Sequence, residues 1–161
     1  MALDDDALRA ELSVLDRLID DRPDETRERP MTPAQTMARL REAVRRDLEA
    51  LLNTRERCRG WPAALKEIDE SVVGYGLPDF SVLSLQGEWR TTLCRRVTEV
   101  IRRFEPRLTS IRVQFDTRGD RLERVARLRI EAMMQADPAP EPIAFDTQID
   151  SGTRLMSIAD K

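Results

Sequence analysis

Glu105 and Arg107 stand on either side of Pro106 in the run Ile101-Arg102-Arg103-Phe104-Glu105-Pro106-Arg107-Leu108. A carboxylate and a guanidinium so close together can satisfy each other, or each can meet an opposite charge on a partner. Proline has no N–H and its ring clashes with the preceding turn, so a helix must stop there. The residue before it is pushed out of the α region as well. The pair is therefore expected on a stiff corner with its separation fixed. Two readings follow: a docking corner, or a salt-bridged helix stop inside the domain.

Other chemistry has little to stand on. A glycosidase needs two carboxylates ~5–10 Å apart, one of them kept protonated. Glu105, Asp79 and Asp146 are candidates, but nothing marks two of the 30 acidic residues as a pair. Arg102, Arg103 and Arg107 surround Glu105, and cationic neighbours favour a carboxylate over the acid form that a proton donor needs. There is no histidine, which removes Ser-His-Asp and Cys-His systems and the commonest zinc ligand. Cys58 and Cys94 are far apart, cannot make a structural zinc site alone, and read as free thiols. Gly74 and Gly76 near Asp79 lack the following Gly-Lys-Ser/Thr of a phosphate loop. The expectation is no catalysis, no metal and no cofactor. With a net charge of -3, arginines interleaved with acids and few stacking aromatics, nucleic acid is not the expected partner either.

The corner needs elements to hold it. Upstream, Trp89, Leu93, Val97, Ile101 and Phe104 recur at helical spacing, predicting a helix over 86–104. Downstream, Ile111, Val113 and Phe115 alternate with polar residues, predicting a strand over 109–115. The segment 122–135 is rich in helix formers, yet Ala126, Leu128, Ile130, Ala132 and Met134 alternate with Arg127, Arg129, Glu131 and Met133. Period two decides for a strand. Residues 143–150 alternate again, and Arg154 to Ile158 can add a short fourth strand. Thr32 and Pro33 supply the N-cap and first position of an earlier helix, with Met37, Leu40, Val44, Leu48 and Leu51/Leu52 as its apolar stripe. Helices first and strands after predict an α+β domain: amphipathic helices packed on a small antiparallel β-sheet.

The 161 residues suit one domain with a modest core. Residues 32–161 hold it. Residues 1–31 form an arm: an amphipathic helix over 7–20, with Leu8, Leu12, Leu15 and Leu18, then a charged linker with prolines at 23 and 30. That arm carries ten acidic and five basic residues. Its helix either folds back on the domain or docks on a partner. No apolar run approaches the ~20 residues of a membrane helix, and the acidic start is unlike a secretory signal. A cytoplasmic protein is expected.

Several segments together resemble one family. They are Leu15-Asp16-Arg17-Leu18, Arg46-Asp47-Leu48-Glu49-Ala50-Leu51-Leu52-Asn53-Thr54, Tyr75-Gly76-Leu77-Pro78-Asp79, the Glu105-Pro106-Arg107 corner, Asp137-Pro138-Ala139-Pro140-Glu141-Pro142 and Phe145-Asp146-Thr147. In this order they are similar to the baseplate wedge and sheath-initiator proteins of contractile phage tails and type VI secretion systems. The resemblance implies a non-enzymatic subunit of a cytoplasmic baseplate at the inner membrane, without membrane insertion. It implies that Glu105, Pro106 and Arg107 dock on a helical bundle of the wedge subunits TssF and TssG, beside other baseplate proteins. It implies that strands pair with the sheath subunits TssB and TssC, where sheath assembly starts. Some phage relatives carry a lysozyme label, so a cell-wall hydrolase is one rival reading. A free-standing helix-binding adaptor is another.

Overall fold

The computed structural model describes residues 13–19, 23–24, 31–56, 60, 62, 64–78, 89–116, 125–136, 139–150, 153 and 155–160. Its helices are α1 (Val14–Leu18), α2 (Pro33–Asn53), α3 (Lys66–Asp69) and α4 (Trp89–Phe104), with a 3-10 turn at Val72–Gly74. Its strands are β1 (Leu108–Phe115), β2 (Val125–Met134), β3 (Glu141–Asp150) and β4 (Met156–Asp160). The expected α+β order holds, with the fourth strand present. The predicted 7–20 helix is seen only as α1, its earlier residues lying outside the described ones; so do 86–88, ahead of α4. Between α2 and α4 the chain forms α3 and the 3-10 turn.

Thr32 opens α2 as expected, and Gln35 completes a reciprocal cap: Gln35 N–H donates to the Thr32 hydroxyl at 3.3 Å, and Thr32 N–H donates to Gln35 Oε1 at 2.9 Å. Two orphan donors are thereby satisfied at once. The buried stripe is Leu40, Ala43, Val44, Leu48, Leu51 and Leu52. In α4 it is Leu93, Val97, Val100 and Ile101.

The four strands form an antiparallel meander in the order β1-β2-β3-β4. Leu128, Ile130, Ala132 and Met134 of β2, Ile143, Phe145 and Thr147 of β3, and Met156 and Ile158 of β4 are buried. Their neighbours Arg127, Asp146, Gln148 and Ser157 are exposed. One face is thus covered by helices and the other is open, which is why period two was readable. Helix α4 lies against β1 and α2 against β4. Strand β1 carries a bulge between Thr109 and Arg112, where Ser110 adopts φ +51°. At its far end Phe115 meets Trp89 edge-on, ring centroids 5.3 Å apart.

The Tyr75-Gly76-Leu77 loop is stitched to the end of α2. Leu77 N–H donates to the Thr54 carbonyl at 2.8 Å and Glu56 N–H to the Leu77 carbonyl at 2.9 Å. Gly76 has φ +113°, and a Cβ there would lie 2.5 Å from the Thr54 oxygen. Both facts require glycine.

Candidate docking site

The corner is fixed first by its main chain. Glu105 N–H donates to the Ile101 carbonyl at 2.9 Å, completing the last turn of α4. Pro106 has no donor to continue it. Leu108 N–H then donates to the Glu105 carbonyl at 3.1 Å, and Gln135 N–H, just past β2, donates to the Arg107 carbonyl at 2.8 Å.

The side chains lock onto this frame. Arg107 Nε donates to Glu105 Oε1 at 2.6 Å and Nη2 to Oε2 at 2.5 Å, a bidentate grip. The same Nη2 donates to Asp47 Oδ2 of α2 at 2.6 Å. Asp47 Oδ1 accepts from Arg46 Nη2 at 2.9 Å, and that nitrogen also donates to Asp16 Oδ1 of α1 at 2.7 Å. Acid and base alternate from Glu105 through Arg107, Asp47 and Arg46 to Asp16. Tyr75 stands beside the network, its ring edge-on to Phe104 at 5.3 Å.

The electrostatics follow. The hydrogen bond to Glu105 holds the Arg107 guanidinium charged, with Asp47 adding to it against the opposing effect of burial. Burial works against ionisation of Asp16; hydrogen bonds from Ser13 and Arg46 and the charges of Arg46 and Arg107 outweigh it, so its carboxyl sits below the ordinary carboxylate range. Burial raises the Tyr75 phenol, and the negative charges of Asp47 and Glu105 raise it further.

Glu105 is only 4% exposed. The sequence reading left it either presented to a partner or salt-bridged inside the domain; here Arg107 folds back over it. Pro106 is exposed at the apex and Arg107 is half-buried. Arg107 Nη1 is buried with no hydrogen-bond partner among the described residues. Asp146 projects from the open face of the sheet, away from the helix layer that holds Glu105. Asp79 lies outside the described residues. A groove of about 500 Å³, whose lining includes Arg41, Arg112, Glu131, Met133 and Asp160, contains neither Glu105 nor Asp146.

Sequence reasoning missed Asp47, Arg46, Asp16 and Tyr75 as members of the site. A signal for Asp47 existed: it directly precedes the buried Leu48 and follows Val44 by three positions, at the border of the α2 stripe.

The two sheet edges differ. At β4, Met156 N–H donates to Asn53 Oδ1 and Asn53 Nδ2 donates to the Met156 carbonyl, both at 2.8 Å. Arg45 Nη1 donates to the Ile158 carbonyl at 3.2 Å. Helix α2 thus occupies backbone groups that a further strand would use. Strand β1 pairs only with β2 among the described strands.

A sequence profile described as baseplate wedge protein gp25 matches residues 38–139, well over half of the chain and including most of α2, the corner, β1 and β2. The chain belongs to the baseplate wedge protein gp25 family. Curated proteins give no match. Among solved structures, a chain from "The baseplate complex from the type VI secretion system" is similar at 18% identity and a TM-score of 0.45, covering 69% of this chain and 94% of that one. The family is one of structural baseplate proteins, and the Glu105–Arg107 corner lies inside the matched region. No described helix is long and apolar enough to cross a membrane.

Proposed function

We propose that this wedge-family chain is a TssE-type, non-catalytic subunit of a type VI secretion baseplate, assembled at the cytoplasmic side of the inner membrane. Residues 32–161 form its wedge domain and residues 1–31 an arm. Glu105, Pro106 and Arg107 form the corner that docks on the TssF–TssG helical bundle. Pro106 and Arg107 make the contact; Glu105 holds Arg107 in place. Strand addition to the sheet then seeds the TssB–TssC sheath. The observation that carries this reading is the preassembled corner: an exposed proline apex next to a guanidinium gripped from two sides. Such a group loses little entropy on binding. Strand addition is supported by the outer edge of β1, which pairs only with β2 among the described strands, since an edge offers main-chain groups to a partner strand.

The test is co-purification of Arg107→Ala and Pro106→Ala variants with TssF–TssG, with thermal melts in parallel. Loss of wedge binding with Pro106→Ala still folded is the expected result. Normal binding by both variants refutes the docking corner. Clearing of a peptidoglycan suspension by the purified protein, abolished by mutating Glu105 or Asp79, would replace the structural reading with a hydrolase.

A further inference from the structure

Helix α1 sits on the domain with its polar side inward. Ser13 caps it, and the Asp16 side chain, 9% exposed, reaches Arg46 of α2 at 2.7 Å. Its aliphatic residues are turned to solvent: Val14 is 73% exposed, Leu15 58%, Leu18 76% and Ile19 46%. A helix that closes the core of its own domain has the opposite polarity. Four large aliphatics gathered on one short segment mark a surface that something else covers. The family match begins at residue 38, so it does not account for this segment.

The position of α1 says where that partner sits. Asp16, Arg46, Asp47, Arg107 and Glu105 form one continuous chain of ion pairs, and the Arg107 charge helps to hold Asp16 ionised. The exposed leucines are therefore tethered beside the corner. The composition of the arm that carries α1 says what the partner is made of. Residues 1–31 carry ten acidic and five basic residues, so a second copy of this arm would meet like charge. A complementary occupant is an amphipathic helix with aliphatic residues three and four apart, bordered by lysine or arginine.

We propose that α1 is a second docking element, which receives a basic-edged amphipathic helix of the wedge partner that meets the corner. The proposal rests on the wedge reading above. Two contacts held on one rigid network raise the effective concentration of the second once the first has formed.

The experiment compares the full chain with Leu15→Ser/Leu18→Ser, Arg107→Ala and a Val72→Ser control, measuring affinity for purified TssF–TssG, melting temperature and oligomeric state. The double serine variant is expected to keep its melting temperature and monomeric state while binding roughly tenfold or more weaker; Val72→Ser, altering a residue 90% exposed, binds as the parent does. Parent-like affinity in the double serine variant, with binding lost in Arg107→Ala, overturns the α1 proposal and leaves the wedge reading standing. A fall of several degrees in melting temperature, or loss of a dimer seen in the parent, assigns the leucines to the chain's own surface or to a second copy and equally overturns it. No TssF–TssG binding by the parent chain removes the wedge reading and the proposal together.

Discussion

Arg107 reaches Asp47, 60 residues earlier in the chain, through the same guanidinium nitrogen that grips Glu105. The corner is thereby tied to α2 as well as to its own helix. Removing one partner from a buried pair strands the other's charge, at about 3–5 kcal/mol for full burial. Arg107 keeps 22% side-chain exposure, so Glu105→Ala is expected near the lower end. Asp47→Ala should cost less, about 1–2 kcal/mol, because Glu105 still neutralises the arginine. Urea denaturation of Asp47→Ala, Arg107→Ala and the double variant should give a coupling of about 1 kcal/mol or more. Strict additivity would mean that the contact carries no energy.

Pro106→Ala leaves the ion pair intact and loosens the turn. Stability should fall by only about 0.4–1 kcal/mol, through the entropy of the unfolded chain. Wedge binding should fall by more than that change explains, since the exposed apex is lost. Comparing the two shifts in one set of titrations and melts separates docking from bracing.

Thr147 is fully buried in β3 and its hydroxyl has no hydrogen-bond partner among the described residues. A buried unmet polar group costs roughly 1–3 kcal/mol. Thr147→Val keeps the β-branched shape and removes the hydroxyl, so it should stabilise the fold by about 1 kcal/mol, raising the melting temperature by ~2–4 °C. A lowered melting temperature would show that the hydroxyl is satisfied in solution.

Asn53→Ala removes both hydrogen bonds to Met156. The Met156 amide, on the outermost strand, should be well protected from hydrogen exchange in the parent and lose that protection in the variant. The amide of Ile130, at the centre of β2, should be far less affected. Equal protection of Met156 in both proteins would show that another group covers it.

Asp16 has a depressed carboxyl pKa relative to its ordinary value of 3.8. A depressed acid contributes stability that is present above the unfolded pKa and is lost as pH falls through the folded one. Lowering pH from about 5 towards 3 should therefore weaken the hold of α1 on α2. A fluorophore on α1 should report its release at higher pH than global unfolding, and Arg46→Ala should release it already near neutrality. No difference between Arg46→Ala and parent would mean that α1 is held by something other than this ion pair.

The fold was legible where one residue type could satisfy only one arrangement. Alternation from Ala126 to Met134 survives a composition that favours helix, because the sheet has one covered and one open face. Thr32-Pro33 marks α2 because cap and first-turn chemistry are local. The corner was legible because a proline beyond the first turn of a helical pattern ends it. What was not legible depends on distance. Glu105 is buried because Arg107 neutralises it, and Asp47 completes the pair from 60 residues away. Asn53 closes α2, yet its amide takes the place of a strand for Met156. A helical pattern groups Leu15 with Leu18 but does not say whether that face looks in or out.

The peptide unit around Pro106 is held by three elements at once: α4 through Glu105 N–H, β2's end through the Arg107 carbonyl, and α2 through the Arg107 side chain. A force applied at the apex is therefore divided among them. The end of α4 cannot be peeled away one hydrogen bond at a time. A load passing through this baseplate wedge protein would be met at the place where helix layer and sheet are joined to each other.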